Sequence, residues 1–369
     1  MKIKLFAAAA AALFAASAQA QSSVTLYGVA DVGIEYLSKA NGATKPNNSN
    51  SRVAMQSGNM SGSRWGLRGV EDLGGGLKAL FQLESGFSVD TGAGSPDGLF
   101  NRIATVGLQG QFGTLTLGRQ STPMYDFGLR YDPMSISPRY SISAIDAGFI
   151  SRANNAVKYV GNFNGLTASA MYSFAYDGQE VAGQGSKGRE YGASLAYASG
   201  PFDIGAMYEQ RNTGELNARS ASIAGGYSFG PAKAFLGYRY ARGGDWTVRN
   251  SQDRVTTTMA KVSSNLLWAG MAYNMSPALK LTGAAYYQDA RRVSADPWLF
   301  VLSSDYSLSK RTDVYLNLAY ARNRGDSELG LNGNNKGRLT GIALTNTTSD
   351  GNPGNKSQFG AVAGIRHVF

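Results

Sequence analysis

The chain of 369 residues contains no cysteine and one histidine, His367. Without cysteine it can form neither a disulfide nor a thiolate nucleophile. Ordinary zinc, copper and iron sites are built largely from cysteine and histidine, so the sequence predicts no metal site and no cofactor. The single histidine stands two residues before the last residue, which disfavours catalysis by a serine–histidine or aspartate–histidine pair.

Long hydrophobic runs and basic runs are also lacking. After the first 20 residues no apolar stretch approaches the length of a spanning helix. Lysine and arginine outnumber the acids by 10, but they are scattered along the chain. Nucleic-acid binding would require a basic face or run, so the sequence excludes nucleic acid as a partner.

The first 20 residues, MKIKLFAAAAAALFAASAQA, have the organisation of a secretory signal. Lys2 and Lys4 precede an apolar run that is too short for a membrane anchor, and Ala18-Gln19-Ala20 offers a cleavage site. We therefore predict a signal peptide at 1–20 and one mature domain at 21–369. Cleavage would remove two lysines and no acid, which lowers the net charge from +10 to +8.

Alternation with a period of two residues dominates the mature chain, which contains 20 tyrosines, 16 phenylalanines and 47 glycines. It is clear in SVTLYGVADVGIEYL (23–37), LKALFQLESGFSVD (77–90) and DVYLNLAYARN (313–323). Such alternation predicts β-strands with one apolar and one polar face. Segments of ten or more residues are long for a soluble sandwich and suit a tilted membrane strand.

The connections between these segments are asymmetric. Seven are tight turns, at 74–76, 112–113, 162–165, 200–201, 230–231, 276–277 and 309–310. Eight are long and mostly polar, at 38–60, 91–99, 121–151, 177–187, 213–216, 245–255, 291–297 and 324–357. Short turns on one side and long loops on the other are typical of outer-membrane barrels. The counts predict an all-β transmembrane antiparallel β-barrel of about 16 strands, which must close because lipid cannot pair with backbone groups. A soluble β-sandwich or β-solenoid is the alternative.

Four stretches resemble the general porins of Gram-negative outer membranes, in the betaproteobacterial branch. They are SSVTLYGVADVGIEY after the signal, SRWGLRGVEDLGGGLKALFQLESGF (63–87), FGTLTLGRQ (112–120) and the last six residues, GIRHVF. The resemblance spans the mature chain. It implies a sixteen-stranded barrel in the cell outer membrane, a homotrimer, a third loop folded into the lumen, and passive diffusion of small hydrophilic solutes. It also implies that the strand ending at Phe369 is read by the outer-membrane assembly machinery.

The third long loop, 121–151, is the predicted constriction. It carries more apolar residues than the other loops, which a loop packed inside a barrel needs and a solvated loop does not. The charged residues interleaved with them are the candidate constriction residues Asp126, Arg130, Asp132, Arg139 and Asp146. We expect the acids of this loop to face basic residues on the wall.

Alternation also nominates the basic wall residues. If the apolar neighbours face lipid, then Arg64, Arg68, Lys78, Arg152 and Lys158 face the lumen. Opposed acidic and basic rows would set up a transverse field, and the excess of basic residues predicts a preference for anions. Arg119 falls on the lipid side by strict alternation, unless a β-bulge turns it.

Other functions remain open at this stage. Residues 226–230 match G-x-S-x-G, but Pro231 and a strand follow where a nucleophile elbow requires a helix. A channel specific for sugars or organic anions would need an aromatic track, to which Tyr27, Tyr125, Tyr131 and Tyr140 could contribute. A barrel enzyme or an adhesin are further alternatives, and loop lysines and arginines could contact lipopolysaccharide and other outer-membrane lipids. The sequence predicts no enzyme.

Overall fold

The computed structural model describes residues 23–42, 45–180, 182–183, 185–212, 217–243, 246–249, 255–259, 263–291, 295–325, 327, 329–331 and 356–369. The predicted signal peptide, 1–20, lies outside these residues. In the part described, no helix is long and apolar enough to cross a membrane.

Most of the described chain is β-strand. The strands are β1 (Ser23–Gly42), β2 (Lys45–Ser57), β3 (Arg64–Gly74), β4 (Leu77–Gly86), β5 (Ile103–Gly110), β6 (Gly113–Ser121), β7 (Arg152–Phe163), β8 (Leu166–Ser173), β9 (Glu190–Ser199), β10 (Phe202–Asn212), β11 (Asn217–Phe229), β12 (Ala232–Arg242), β13 (Trp246–Arg249), β14 (Val255–Met259), β15 (Ser263–Asn274), β16 (Leu279–Arg291), β17 (Trp298–Ser307), β18 (Thr312–Arg322) and β19 (Gln358–Val368). The helices are α1 (Pro123–Tyr131), α2 (Ile142–Ile145) and a 3-10 turn at Ala147–Ile150.

The antiparallel strands form a closed ring. Each strand pairs with its neighbours in chain order, and β1 pairs with β19 to complete the circle. On its other side, β1 pairs first with β3 and then with β2, so these two act as one interrupted strand. β13 and β14 form a separate hairpin outside the ring. With β2 and β3 counted as one strand, the barrel has sixteen strands around its circumference, as predicted.

The two faces of the wall differ as the alternation predicts. On β12, Leu236 is 67% exposed on the outer face, and Tyr238 and Tyr240 share that face. Arg239, on the inner face, is 3% exposed, and Ala241 is buried beside it. An outer surface of leucine, isoleucine and tyrosine suits hydrocarbon with an aromatic rim, whereas charged groups are kept inside.

All seven predicted tight turns join the ends of paired neighbouring strands. Two predicted loops are partly wrong. The range 38–60 is mostly strand, because β1 continues to Gly42 and pairs with β2. The range 245–255 contributes to the β13–β14 hairpin. Both extensions place paired strands beyond the apolar band, where polar sequences also form hairpins.

Phe369 closes the ring beside β1. Its backbone exchanges two hydrogen bonds with Gly28, Gly28 N to Phe369 O at 3.0 Å and Phe369 N to Gly28 O at 3.1 Å. A Cβ atom on Gly28 would lie 2.3 Å from the Phe369 ring, so only glycine fits there. His367 pairs with Ala30 on the outer face, and its Nδ1 lies 2.9 Å from Thr312 Oγ1. The histidine is part of the barrel perimeter.

The residues that fill the barrel come from the segment between β6 and β7, which we call loop 3 (121–151). Its apolar side chains pack against the inner wall from β9 to β12 and from β15 to β19, and against β1. The contributors are Met124, Phe127, Tyr131, Tyr140, Ile142, Ile145 and Phe149 on the loop, and Leu37, Leu266, Trp268, Tyr286, Leu299, Val301 and Tyr315 on the wall. The lumen is thus partly filled with an apolar core on one side, and β3–β7 line the other side.

Candidate pore constriction

Helix α1 carries loop 3 into the lumen. Thr122 caps its N-terminus, with the side chain accepting from Tyr125 N, and Pro123 occupies the first turn, where a missing N–H is tolerated. Asp126 in the first turn and Arg130 in the last turn both complement the helix dipole. The helix ends at Tyr131, where Asp132 is extended.

Trp268 holds the end of this helix against the wall. Its indole Nε1 donates to Tyr131 O at 3.0 Å, and its ring meets Phe149 edge-on with centroids 5.9 Å apart. Trp268 is 2% exposed, and Gly237 on the adjacent strand leaves room for its ring. A buried indole that is both packed and hydrogen-bonded fixes the position of the loop.

Asp132 is a second anchor. Its carboxylate accepts from the Tyr286 hydroxyl at 2.5 Å and from Ile136 N at 2.7 Å. Burial raises the pKa of this carboxyl from 3.8 to about 6, and these hydrogen bonds oppose the shift. Asp132 therefore faces the apolar wall and not the water of the pore.

Two further charged residues of loop 3, Arg139 and Asp146, pair with residues of the barrel wall. Arg139 Nη1 lies 3.1 Å from Glu35 Oε1, and its other nitrogen bonds Gln56. Asp146 caps the 3-10 turn and pairs with Arg239 on β12. The structure therefore does not place Asp132, Arg139 and Asp146 at the constriction, because each is buried against a wall partner.

Arg130 also departs from the predicted position. Its guanidinium forms a bidentate pair with Asp203 on β10, with Nε 2.9 Å from Oδ1 and 3.0 Å from Oδ2. Asp203 lies next to the tight turn at 200–201, so Arg130 points along the wall toward that mouth. Asp126 is the acid of the predicted set that pairs with a predicted wall residue: its Oδ2 lies 2.5 Å from Lys158 Nζ.

The opposite wall carries a group of basic side chains around Glu84. Arg102 Nε lies 2.6 Å from Glu84 Oε1, and Arg64 Nε lies 3.5 Å from Oε2. The Tyr27 hydroxyl donates to the same carboxylate at 3.0 Å and accepts from Gln82 at 2.7 Å. One acid thus holds two guanidinium groups in place.

Two more arginines extend this group. Arg68 is exposed to the lumen, with its guanidinium 5.3 Å from the centre of the Tyr27 ring. Arg152 lies 5.0 Å from the centre of the Tyr125 ring on loop 3, and it interacts electrostatically with Arg102. Cation–π contacts of this kind hold arginine side chains without neutralising them.

We call Arg64, Arg68, Arg102, Arg152 and Lys158 the basic wall cluster. Five positive charges face only Glu84 and Asp126 among the described residues that contact them. The other residue of loop 3 that contacts this cluster is Tyr125, whose ring lies beside Arg152. Two of the predicted loop acids face basic wall residues, Asp126 beside Lys158 and Asp146 beside Arg239, whereas Asp132 contacts Tyr286. An acidic row opposed to a basic row across the pore therefore stays a prediction.

Lys78 lies away from the cluster, whereas Arg119, on the outer face of β6, is near enough to Arg152 to interact electrostatically with it. Lys78 is six residues from Glu84 on β4, or about 20 Å at ~3.3 Å per residue, and pairs in register with Asp72 near the turn at 74–76. At Arg119 the register with β7 shifts, which is a bulge. Arg119 pairs with Ala104 on the outer face, and its guanidinium donates to Asn101 O and Asn154 Oδ1, both at 2.6 Å.

Sequence reasoning missed Arg102 and Glu84. Glu84 stands in the alternating stretch 77–90 on the same face as Lys78, so the alternation could have nominated it. Arg102 precedes β5 by one residue and follows an irregular segment, where alternation cannot be extrapolated. Neither residue has a distinguishing motif around it.

The break between β2 and β3 also shapes the lumen. Residues 58–63 turn inward there, and Asp31 accepts from Met60 N at 2.8 Å, Ser61 N at 2.7 Å and the Tyr315 hydroxyl at 2.5 Å. The Ser137 hydroxyl of loop 3 donates to Asn59 O at 2.7 Å. The segment between β2 and β3 therefore holds loop 3 in place through the contact of Asn59 with Ser137. Among the described residues, no cluster of acids and histidine could hold a metal ion.

Comparison with known proteins matches this architecture. A family model described as Gram-negative porin matches residues 7–326. An outer membrane porin of Delftia acidovorans is 33% identical over the full length of both chains. One of Bordetella pertussis is also 33% identical, over 88% of this chain and 95% of that one.

Solved structures give the same result. An anion-selective porin from Comamonas acidovorans is 28% identical, with a TM-score of 0.76 over 95% of this chain and 100% of that one. OmpT of Vibrio cholerae, in a form lacking its loop L8, is 16% identical, with a TM-score of 0.64 over 94% and 99%. At that identity the second likeness concerns the fold alone.

Proposed function

The chain belongs to the Gram-negative porin family, and we propose that its barrel is a channel through which small hydrophilic solutes diffuse passively, with a preference for anions. Members of this family lie in the outer membrane and are channels rather than enzymes. The basic wall cluster carries the proposal of anion preference.

Charge in a narrow pore acts at short range. A basic excess lowers the free energy of an anion in the constriction and raises that of a cation. Because Glu84 and Asp126 neutralise only part of the cluster, the remaining field favours anions. The name of the similar Comamonas acidovorans protein, an anion-selective porin, supports the same reading.

Conductance in planar bilayers tests the proposal. We expect current that rises linearly with salt concentration, and a reversal potential under a potassium chloride gradient that has the sign of chloride preference. A cation-selective reversal potential would refute the anion preference. Saturable block by one class of sugar or organic anion would favour a substrate-specific channel instead.

Three finer expectations accompany this function. Residues 1–20 would be removed on export, the folded protein would be a homotrimer, and the strand ending at Phe369 would be the segment recognised by the assembly machinery. Mass determination of the protein isolated from outer membranes tests the first expectation, and cross-linking of the folded protein tests the second. For the third, removal of Phe369 should reduce insertion far more than His367→Ala, and equal mild effects would contradict it.

A further inference from the structure

A cavity of about 260 Å³ lies between loop 3 and the barrel wall at β10–β12, and we call it the side cavity. The residues that matter to its chemistry are Met124 and Gly148 on loop 3 and Glu209, Arg211, Ala218 and Arg239 on the wall. No member of the basic wall cluster lines it. The side cavity is therefore a different place in the lumen from the candidate pore constriction.

Glu209 brings a carboxylate to one side of the side cavity. The residue is 7% exposed, and its Oε2 accepts from Met124 N at 3.4 Å. Its carboxylate also lies within hydrogen-bond reach of Thr122 and of a second acid, Glu190. Two neighbouring carboxylates repel each other, and burial strengthens that repulsion. An ammonium group beside Glu209 would relieve it.

The bases around Glu209 are bonded to other acids. Arg211 Nη2 lies 2.7 Å from Glu190 Oε1, and its guanidinium lies 4.4 Å from the centre of the Tyr176 ring, so Arg211 attracts Glu209 without bonding to it. Residues 213–216, which follow β10 closely, contain no lysine or arginine. Among the described residues, Glu209 is thus an acid of this group that no base pairs with directly.

Arg239 brings a positive charge to the other side of the cavity. It is 3% exposed, it pairs with Asp146, and its guanidinium lies 5.3 Å from the centre of the Phe149 ring. Its Nε has no hydrogen-bond partner among the described residues. A guanidinium has five N–H donors, so the pair with Asp146 leaves donors for a second carboxylate.

The strand register places these two charges on either side of β11. Glu209 pairs with Ser220 and Arg239 pairs with Ser222, so the two residues are two strands apart and offset by two residues. At ~4.8 Å per strand and ~3.4 Å per residue, their backbones are about 12 Å apart. Long side chains that reach into one cavity from that distance leave room for a small solute between an acid and a base.

We propose that the side cavity binds a small zwitterion, an α-amino acid, with its ammonium group on Glu209 and its carboxylate on Arg239. Such a solute matches both charges, whereas a simple anion would meet Glu209 and a simple cation would meet Arg239. The volume lies below the about 300–1,000 Å³ of drug-sized sites, which suits a small solute. Met124 and Ala218 offer apolar surface to its side chain. The site goes beyond the proposed channel function and is independent of the anion preference of the pore.

Saturation-transfer NMR of the folded full-length protein in detergent tests the proposal with L-alanine as the probe. We expect a saturable signal that glycine displaces and that equimolar acetate or methylammonium, which carry one charge each, does not. Glu209→Gln should weaken binding on the order of 10- to 100-fold, because one hydrogen bond between charged groups is lost. Glu71→Gln removes an exposed acid beside the turn at 74–76 and serves as the matched control.

A second variant tests the place of binding without altering a charge. Ala218 is 6% exposed and lines the side cavity, so Ala218→Leu should fill the space and weaken binding of L-alanine. Retained resistance to heat in detergent shows that each variant is folded. Equal binding by the wild type, Glu209→Gln and Ala218→Leu would overturn the proposal. So would displacement of L-alanine by acetate or methylammonium as effective as that by glycine. Each of these outcomes leaves the conductance test of the pore unaffected.

Discussion

Replacing Arg68 with glutamine should reduce the anion preference of the pore without disturbing the fold. Arg68 is exposed in the lumen and forms no ion pair with any described residue, so its removal leaves no buried acid uncompensated. The Arg68 guanidinium lies 5.3 Å from the centre of the Tyr27 ring. In the variant, the Tyr27 hydroxyl keeps its hydrogen bond to Glu84.

The size of the effect follows from Coulomb's law. For an ion passing about 5 Å from the guanidinium in a water-filled pore, one charge contributes about 0.8 kcal/mol. Screening in 0.1 M salt reduces this to about 0.5 kcal/mol. The charge favours an anion and disfavours a cation by the same amount, so the ratio of their permeabilities should fall about fivefold.

The assay is the reversal potential of single channels under a potassium chloride gradient centred near 0.1 M. At 1 M the Debye length is about 3 Å, and the effect should shrink to less than about twofold. Arg322→Gln, on the outer face, should leave the reversal potential unchanged. An unaltered reversal potential for Arg68→Gln, or a change of equal size at both salt concentrations, would refute the assignment of Arg68 to the pore.

Three further predictions concern the anchors of loop 3 and the closure of the barrel. Trp268→Ala removes the packing and the hydrogen bond to Tyr131 O, at a cost of about 3–5 kcal/mol; single-channel recordings should then show larger and noisier currents, and quiet currents of wild-type size would contradict the anchoring role. Gly28→Leu displaces the Phe369 ring and should lower the yield of folded barrel in a detergent refolding assay, whereas a wild-type yield would show that the contact is dispensable. Burial raises the pKa of Asp132 to about 6, so its contribution to stability is present below pH 3.8 and is lost as the pH rises through 6; loop 3 should be held more firmly at pH 5 than at pH 8, and this difference in current noise should vanish in Asp132→Asn.

The strands could be predicted because their faces meet different solvents. The alternating stretches 23–37, 77–90 and 313–323 lie largely in strands, since lipid and water impose opposite preferences on successive residues. The tight turns could also be predicted, because glycine and proline favour the backbone geometries that turns require. The interruption at 58–63 was not readable, since it depends on Asp31, which is distant in sequence.

The constriction was less predictable than the wall. A loop sequence shows which residues are charged but not which side of the loop they occupy, and that depends on partners elsewhere in the chain. Asp132 turns toward Tyr286 and Asp146 toward Arg239, contacts that no local pattern encodes. Asp126 and Lys158 are nearer in sequence, and loop 3 brings them together where its two ends meet the wall.

The closing of the ring through β1 and β19 has a consequence for the order of folding. Strands that follow one another in the chain are joined by a single turn or loop and can pair in sequence as hairpins. The pairing of Val29 with Val368 instead joins residues from opposite ends of the described chain, and its loop-closure entropy is the largest of any strand pair. We expect it to form last, as contacts of high sequence separation do. Until then the sheet has two unpaired edges, so the lifetime of that open intermediate should determine whether the nascent barrel matures or aggregates.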